Sequence, residues 1–328
     1  MQRFELDESA LRSARDLSRA VAEQVSRAFI GPGGVAELLL SAIVARGHVL
    51  IEGVPGVAKT TLAKALATAT GCSFARVQFT PDLLPADITG TYVLDMHKSE
   101  FVLHPGPIFA NVVLGDEINR APAKTQAALL EAMQEGQVTI DGDTRQLGAP
   151  FVVLATQNPM EHEGTYPLPD AQIDRFLLKL HLGYPGVEDE LRMLATYGAA
   201  PPERPEPAVQ PSDILRLQAL ADATHAGPEI LEYILALVRY TREHPRVHLG
   251  ASPRAALALL HTAKSLALLR GRGFVLPDDI QELAPRVLSH RIVQSTDAEL
   301  GGQRPESIVA EALANTAYQR PLSAASER

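Results

Sequence analysis

A glycine-rich turn set between a buried strand and a helix restricts a chain to few folds, and residues 53–61 read as such a turn. Gly53, Val54, Pro55, Gly56, Val57, Ala58, Lys59, Thr60 and Thr61 follow the mostly apolar run His48-Val-Leu-Ile-Glu52. Leu62 and Leu66 then recur at helical spacing before a stop at Gly71. Consecutive backbone N–H groups leading into a helix N-terminus surround a dense negative charge, such as a triphosphate, with donors and a favourable dipole. In the G-x-x-x-x-G-K-[ST] pattern the lysine lies against the β- and γ-phosphates and the next hydroxyl holds Mg²⁺. Here those residues are Lys59 and Thr60. One position departs: Ala58 stands where a second glycine is usual, and its Cβ favours an ordinary negative φ. Alone, the nine residues could be a turn carrying a surface lysine, so the remaining sequence has to decide.

The alternation of elements supports an α/β domain. Short apolar runs at 48–52, 74–79, 111–115, 151–155 and 176–182 are separated by helical segments, the pattern of a parallel sheet buried on both faces. Two helices, near 9–29 and 33–46, precede the first strand. Two hairpins are expected around 90–104 and 138–147, the second on the turn signal Asp141-Gly142. They are candidates for contacting a substrate or a neighbouring subunit, or else peripheral decoration. The proline-rich stretch 201–211 cannot continue a helix or a central strand and reads as an exposed connector. After it, 212–225, 228–243, 253–270, 277–289 and 305–317 have 3.6-residue apolar spacing, several with Pro at the first helical position. The expected organisation is a nucleotide-binding α/β domain over 1–185, a connector over 186–211 and a helical lid over 212–328.

Composition removes several function classes. With 46% apolar and 21% charged residues, the 328-residue chain can bury a full core. No apolar run reaches the roughly 18 residues of a membrane span. The acidic start Met1-Gln-Arg-Phe-Glu-Leu-Asp-Glu8 lacks the features of a signal peptide, so a cytoplasmic location is expected. Cys72 is the single cysteine, which rules out an intramolecular disulfide, and it reads as a small buried hydrophobe. The pair His244-Pro-Arg-Val-His248 has metal-ligand spacing, but Pro245 disfavours a shared helical face. A net charge of −9 argues against binding nucleic acid, though a local basic pore in a ring would escape this average.

The remaining chemistry sits at strand ends. Asn111-Val-Val-Leu-Gly-Asp116-Glu117 closes a strand with two acids, and adjacent strand residues point in different directions. Asp116 can then face Mg²⁺ while Glu117 orients and deprotonates an attacking water. The later strand ends in Thr156-Gln-Asn158-Pro159, placing an amide where Asn158 could detect a γ-phosphate. Arg175 closes Asp170-Ala-Gln-Ile-Asp-Arg175, and Arg254 opens a helix after Ala251-Ser-Pro253. Most arginines are solvated surface residues.

Taken together, Glu52-Gly-Val-Pro-Gly-Val-Ala-Lys-Thr60, Gln78-Phe-Thr-Pro-Asp-Leu-Leu-Pro-Ala-Asp-Ile-Thr-Gly90, Gly106-Pro-Ile-Phe-Ala-Asn111, Asp116-Glu-Ile-Asn-Arg-Ala-Pro122, Thr156-Gln-Asn-Pro159 and Gly164-Thr-Tyr-Pro-Leu-Pro-Asp-Ala-Gln-Ile-Asp-Arg-Phe176 resemble the AAA+ ATPases, and more narrowly the MoxR family. The Ala58 departure is itself what MoxR proteins look like. The resemblance implies a P-loop NTPase sheet of strand order 5-1-4-3-2, a C-terminal all-helical lid, and a ring, usually a hexamer, with ATP between subunits. It implies Asn158 as sensor 1, Arg254 as sensor 2 and Arg175 as the arginine finger offered to the neighbour. Family members look like remodelling chaperones acting with a separate von Willebrand factor A-domain partner on a client complex. A nucleic-acid-stimulated motor and a nucleotide-gated scaffold with little turnover remain the alternatives.

Overall fold

The structure is a computed structural model that describes residues 6–158, 165–198 and 203–318. Residues 16–218 form one compact unit, and the described parts of 1–15 and 219–328 form the other. In chain order the first elements are α1 (Glu8–Ala28), α2 (Val35–Val44), β1 (Val49–Gly53), α3 (Lys59–Ala69), β2 (Phe74–Gln78), α4 (Pro85–Thr89), β3 (Gly90–Asp95) and β4 (Glu100–Pro105). There follow β5 (Val112–Asp116), α5 (Ala123–Glu135), β6 (Gln137–Ile140), β7 (Asp143–Gln146), β8 (Val152–Gln157), α6 (Asp170–Ile173), β9 (Leu178–Leu182), α7 (Val187–Tyr197) and α8 (Pro211–Ala223).

The sheet order is β2-β5-β8-β1-β9, all parallel, which in order of sheet strands is the expected 5-1-4-3-2. Alternate residues leave opposite faces of each strand. Leu50, Val113, Val153 and Ala155 join one cluster with Leu129, Leu130 and Met133 of α5, and with Ile88 and Phe176. On the other face α3 lies against β2 and β5, burying Leu62 and Leu66. Each such leucine contributes about 1.5–3 kcal/mol when removed from water. Strand starts are clasped as well: Asn111 accepts from the Ser73 N–H and hydroxyl and donates to the Pro150 carbonyl, joining the entries of β2, β5 and β8.

His48, just ahead of β1, is enclosed and fixed in one tautomer. The Val153 N–H donates to its Nδ1 at 3.0 Å, so the proton sits on Nε2, 2.9 Å from the Met133 carbonyl. Burial penalises the cation and lowers the His48 pKa to about 4, against a smaller upward pull from the Met133 carbonyl. Below pH 6.5 the unfolded chain takes up a proton that the folded chain refuses until about pH 4, so stability falls with pH across that window. The loss from this group is on the order of 3 kcal/mol. Urea unfolding from pH 7 to 4.5 should show the midpoint falling in the parent chain, with a shallower dependence in His48→Gln.

The second unit comprises the end of α8 with α9 (Pro228–Glu243), β10 (Val247–Leu249), α10 (Pro253–Leu269), α11 (Pro277–Leu288), β11 (Val293–Gln294), α12 (Thr296–Leu300) and α13 (Pro305–Asn315). Proline opens α8, α9, α10, α11 and α13, where its missing N–H costs nothing. The unit is not purely helical, since β10 and β11 pair antiparallel. His244 follows the end of α9 and His248 lies on β10, so the two do not share a helix face.

The expected connector over 186–211 is also corrected. Its first half is α7, a complete helix, while residues 199–202 lie outside the described residues. Near its end the chain is pinned rather than loose: Val209 is buried, and the Ala208 and Val209 N–H groups donate to the Ala69 carbonyl at the end of α3. Cys72 is buried, and desolvation raises its thiol pKa. No helix among the described residues is long and apolar enough to cross a membrane.

Candidate nucleotide site

β1 delivers the loop and α3 receives it. A Cβ at Gly53 would lie 2.5 Å from the Leu182 carbonyl of β9, so only glycine fits where the strand meets its neighbour. Gly56 has φ +87°. Ala58 has φ 58° and ψ 31°, which overturns the expected negative φ: the alanine occupies the left-handed region despite its Cβ. It is also the N-cap of α3, and its side chain cannot cap. No side-chain hydrogen bond closes this helix start and no acid lies in its first turn. The helix start thus carries neither a capping side chain nor an acid of its own, the arrangement that suits an anion.

It opens on a cavity of about 360 Å³ lined by residues 55–61 together with Asp116, Glu117 and Asn158. Three separate strand ends thus meet at one mouth, as ligand sites do in open α/β sheets. Gly53 and Val54 are not in the wall; Gly53 instead accepts a 2.6 Å hydrogen bond from Lys59 Nζ. Arg175, singled out in the sequence, is not among the residues that line the cavity. Arg175 lies between α6 and β9. Arg254 is the second residue of α10 in the other unit, exposed and in a first turn where a cation opposes the helix dipole.

The acid pair is held by residues whose roles the sequence did not reveal. Asp116 is buried at the end of β5, and its Oδ1 accepts from the Thr156 hydroxyl at 2.6 Å. Its Oδ2 accepts from Arg76 Nη2 at 2.6 Å and Nε at 3.1 Å. Glu117 has left the strand: at φ 58° and ψ 51° it starts a 3₁₀ turn, so the two acids diverge through a backbone kink and not through strand alternation. The Glu117 N–H donates to Thr156 Oγ1 at 2.9 Å, and Glu117 Oε2 accepts from Gln78 at 2.8 Å and from Arg120 at 2.9 Å. One threonine hydroxyl thus touches both acids. Gln78, Arg120 and Thr156 lie inside the quoted motifs, but their role emerges only from the register that sets Gln78 opposite Asp116. Arg76 carried no sequence signal beyond its place two residues earlier on the same strand.

The donor set at the mouth suits Mg²⁺. Thr60 and Asp116 offer hard oxygens, and magnesium takes one or two protein ligands with phosphate and water completing its shell. Among the described residues no group of three or more His, Cys, Asp or Glu could hold a metal. Of the quoted motifs, Pro159 and Gly164 lie outside the described residues.

Comparison with known proteins agrees with this geometry. Residues 48–178 match the model of the ATPase family associated with various cellular activities (AAA), and residues 239–312 match the AAA lid domain. Uncharacterized protein YeaC of Bacillus subtilis is 50% identical, covering 90% of this chain and 92% of that protein. Chaperone MoxR1 of Mycobacterium tuberculosis is 44% identical over 92% of this chain and 82% of its own length. Protein MoxR of Methylorubrum extorquens is 32% identical over 85% and 88%. A crystal structure from Cytophaga hutchinsonii, of a protein assigned as an ATPase, superposes with a TM-score of 0.89 at 40% identity, covering 95% of this chain and 98% of that one. A cradle with a lysine at a helix start, an acid pair two strands away, a matching lid and relatives of nearly equal length lead to one conclusion: the chain belongs to the AAA+ ATPases, in the MoxR family.

Proposed function

We propose that the protein binds ATP with Mg²⁺ at the interfaces of a ring, usually a hexamer in such proteins, and uses hydrolysis to remodel or activate a protein partner. The observation that carries this reading is the uncapped, acid-free start of α3 opening on the cavity that Asp116, Glu117 and Asn158 complete. In it Lys59 leaves the Gly53 carbonyl to meet the β- and γ-phosphates. Thr60 and Asp116 hold the metal, which when bound neutralises phosphate charge. Glu117 orients and deprotonates the attacking water, and Asn158 reads the γ-phosphate. Arg254 acts from the lid as sensor 2, and Arg175 reaches the neighbouring subunit's γ-phosphate.

A protein partner is favoured by the first hairpin. Its paired strands expose Leu94 opposite Phe101, Val93 opposite Val102, and Met96 at the tip. Apolar surface of this kind marks contact with another protein more often than solvated decoration. The partner proposed is a separate protein with a von Willebrand factor A domain, acting on a client complex.

Calorimetry tests the core of the reading. Mg²⁺ and ATP together should bind the parent chain, and Lys59→Ala should weaken binding at least tenfold, about 1.4 kcal/mol. Removing Mg²⁺ with a chelator should weaken the parent as well. A folded parent chain giving no heat with the magnesium nucleotide would overturn it.

A further inference from the structure

α7 is an amphipathic helix whose apolar stripe is exposed among the described residues. None of its eleven residues is buried, and a helix this short is marginal in water unless an apolar face is packed. Asp189, Met193 and Tyr197, at i, i+4 and i+8, are half-buried and form its inner side. Val187, Leu191 and Leu194, at i, i+4 and i+7, form a second stripe exposed by 76%, 60% and 72%. Glu188 and Glu190 flank the start of that stripe.

A second unpartnered stripe lies on α9. Leu231 and Leu235 are 45% and 51% exposed, and Arg239 and Arg242 continue the same side at i+8 and i+11. Among the described residues Arg239 makes an exposed i,i+4 pair with Glu243, an interaction worth little and readily exchanged, and Arg242 Nε donates to the Ala251 carbonyl at 2.8 Å. Glu232 lies at the leucine end, away from the arginines.

We propose that the α7 stripe of one copy packs antiparallel on the α9 stripe of the next copy, so that this helix pair is a subunit contact of the ring. The inference rests on the ring reading above and names one of its surfaces. Antiparallel docking sets Leu191 and Leu194 against Leu235 and Leu231, and brings Glu188 and Glu190 onto Arg239 and Arg242. Charge decides the occupant. Copies of net charge −9 repel one another, so they associate only where opposite charges are matched locally, and these two stripes carry opposite signs at the ends that meet. The acids beside the α7 stripe disfavour an anionic lipid surface, which recruits helices with basic flanks. The stripes are different surfaces, so the contact is head-to-tail, the kind that closes into rings.

The test uses full-length protein in a Cys72→Ser background. Leu191→Cys combined with Leu235→Cys should, on mild oxidation, give a ladder of covalent oligomers on a denaturing gel, and neither single variant should. By sedimentation velocity with Mg²⁺ and ATP, Leu191→Asp should reduce the assembled fraction at least tenfold. Both side chains are largely exposed, and an unchanged melting curve would confirm that the fold is intact. Glu190→Arg should impair assembly, and Arg239→Glu added to it should restore it. Rings that form without the 191–235 link, and that persist in Leu191→Asp, would overturn the proposal and leave the ring reading standing. A covalent dimer from Leu191→Cys alone would replace it with a two-fold contact. A parent chain that stays monomeric at every concentration would remove both.

Discussion

Glu117→Gln is expected to retain ATP and to lose hydrolysis by a factor of about 10² to 10⁴, the usual contribution of a positioned general base. The substitution is nearly isosteric. Its amide oxygen can still accept from Gln78 and Arg120, the partners that hold the carboxylate at 2.8 and 2.9 Å, so the geometry of the mouth should persist. Binding measured by calorimetry should therefore match the parent while phosphate release nearly stops. Brisk turnover by this variant would remove Glu117 as the base. The same protein, held with its nucleotide, should also co-purify with the partner.

Arg175→Ala is expected to lower kcat by a factor of roughly 10³ to 10⁵, about 4 to 7 kcal/mol, if this side chain is the finger supplied across the interface. Arg175 lies between α6 and β9 and is not among the residues that line the cavity. Turnover per subunit should accordingly rise with protein concentration. Mixing Arg175→Ala with Glu117→Gln under exchange conditions should restore some activity, because the first variant's intact base then meets the second variant's intact arginine. Verified mixed rings that stay inactive would count against action across the interface.

Much of the architecture was legible because its signals are local. Continuous apolar runs such as Val112-Val-Leu114 and Val152-Val-Leu154 sit on strands buried on both faces, prolines mark helix starts, and Asp141-Gly142 turns the second hairpin. The loop, Lys59 and the acid pair were legible for the same reason. α7 was missed because its apolar residues face outward and a proline-rich stretch follows, so composition suggested a connector. The small β10–β11 ladder was missed because three residues and two residues carry no readable period. The restraint of Asp116 and Glu117 by Arg76, Gln78 and Thr156 joins residues about forty positions apart, and depends on strand register that no local pattern encodes. Ala58 failed in the opposite sense: its intrinsic preference is real, and the surrounding fold overrides it.

Ala58 and Glu117, on two sides of the cavity mouth, both hold the left-handed backbone that ordinary residues avoid at a cost of about 1–2 kcal/mol each. Glycine at position 58 would relax the corner and equally let it sample other conformations, so the alanine trades ease of folding for a corner with fewer shapes open to it.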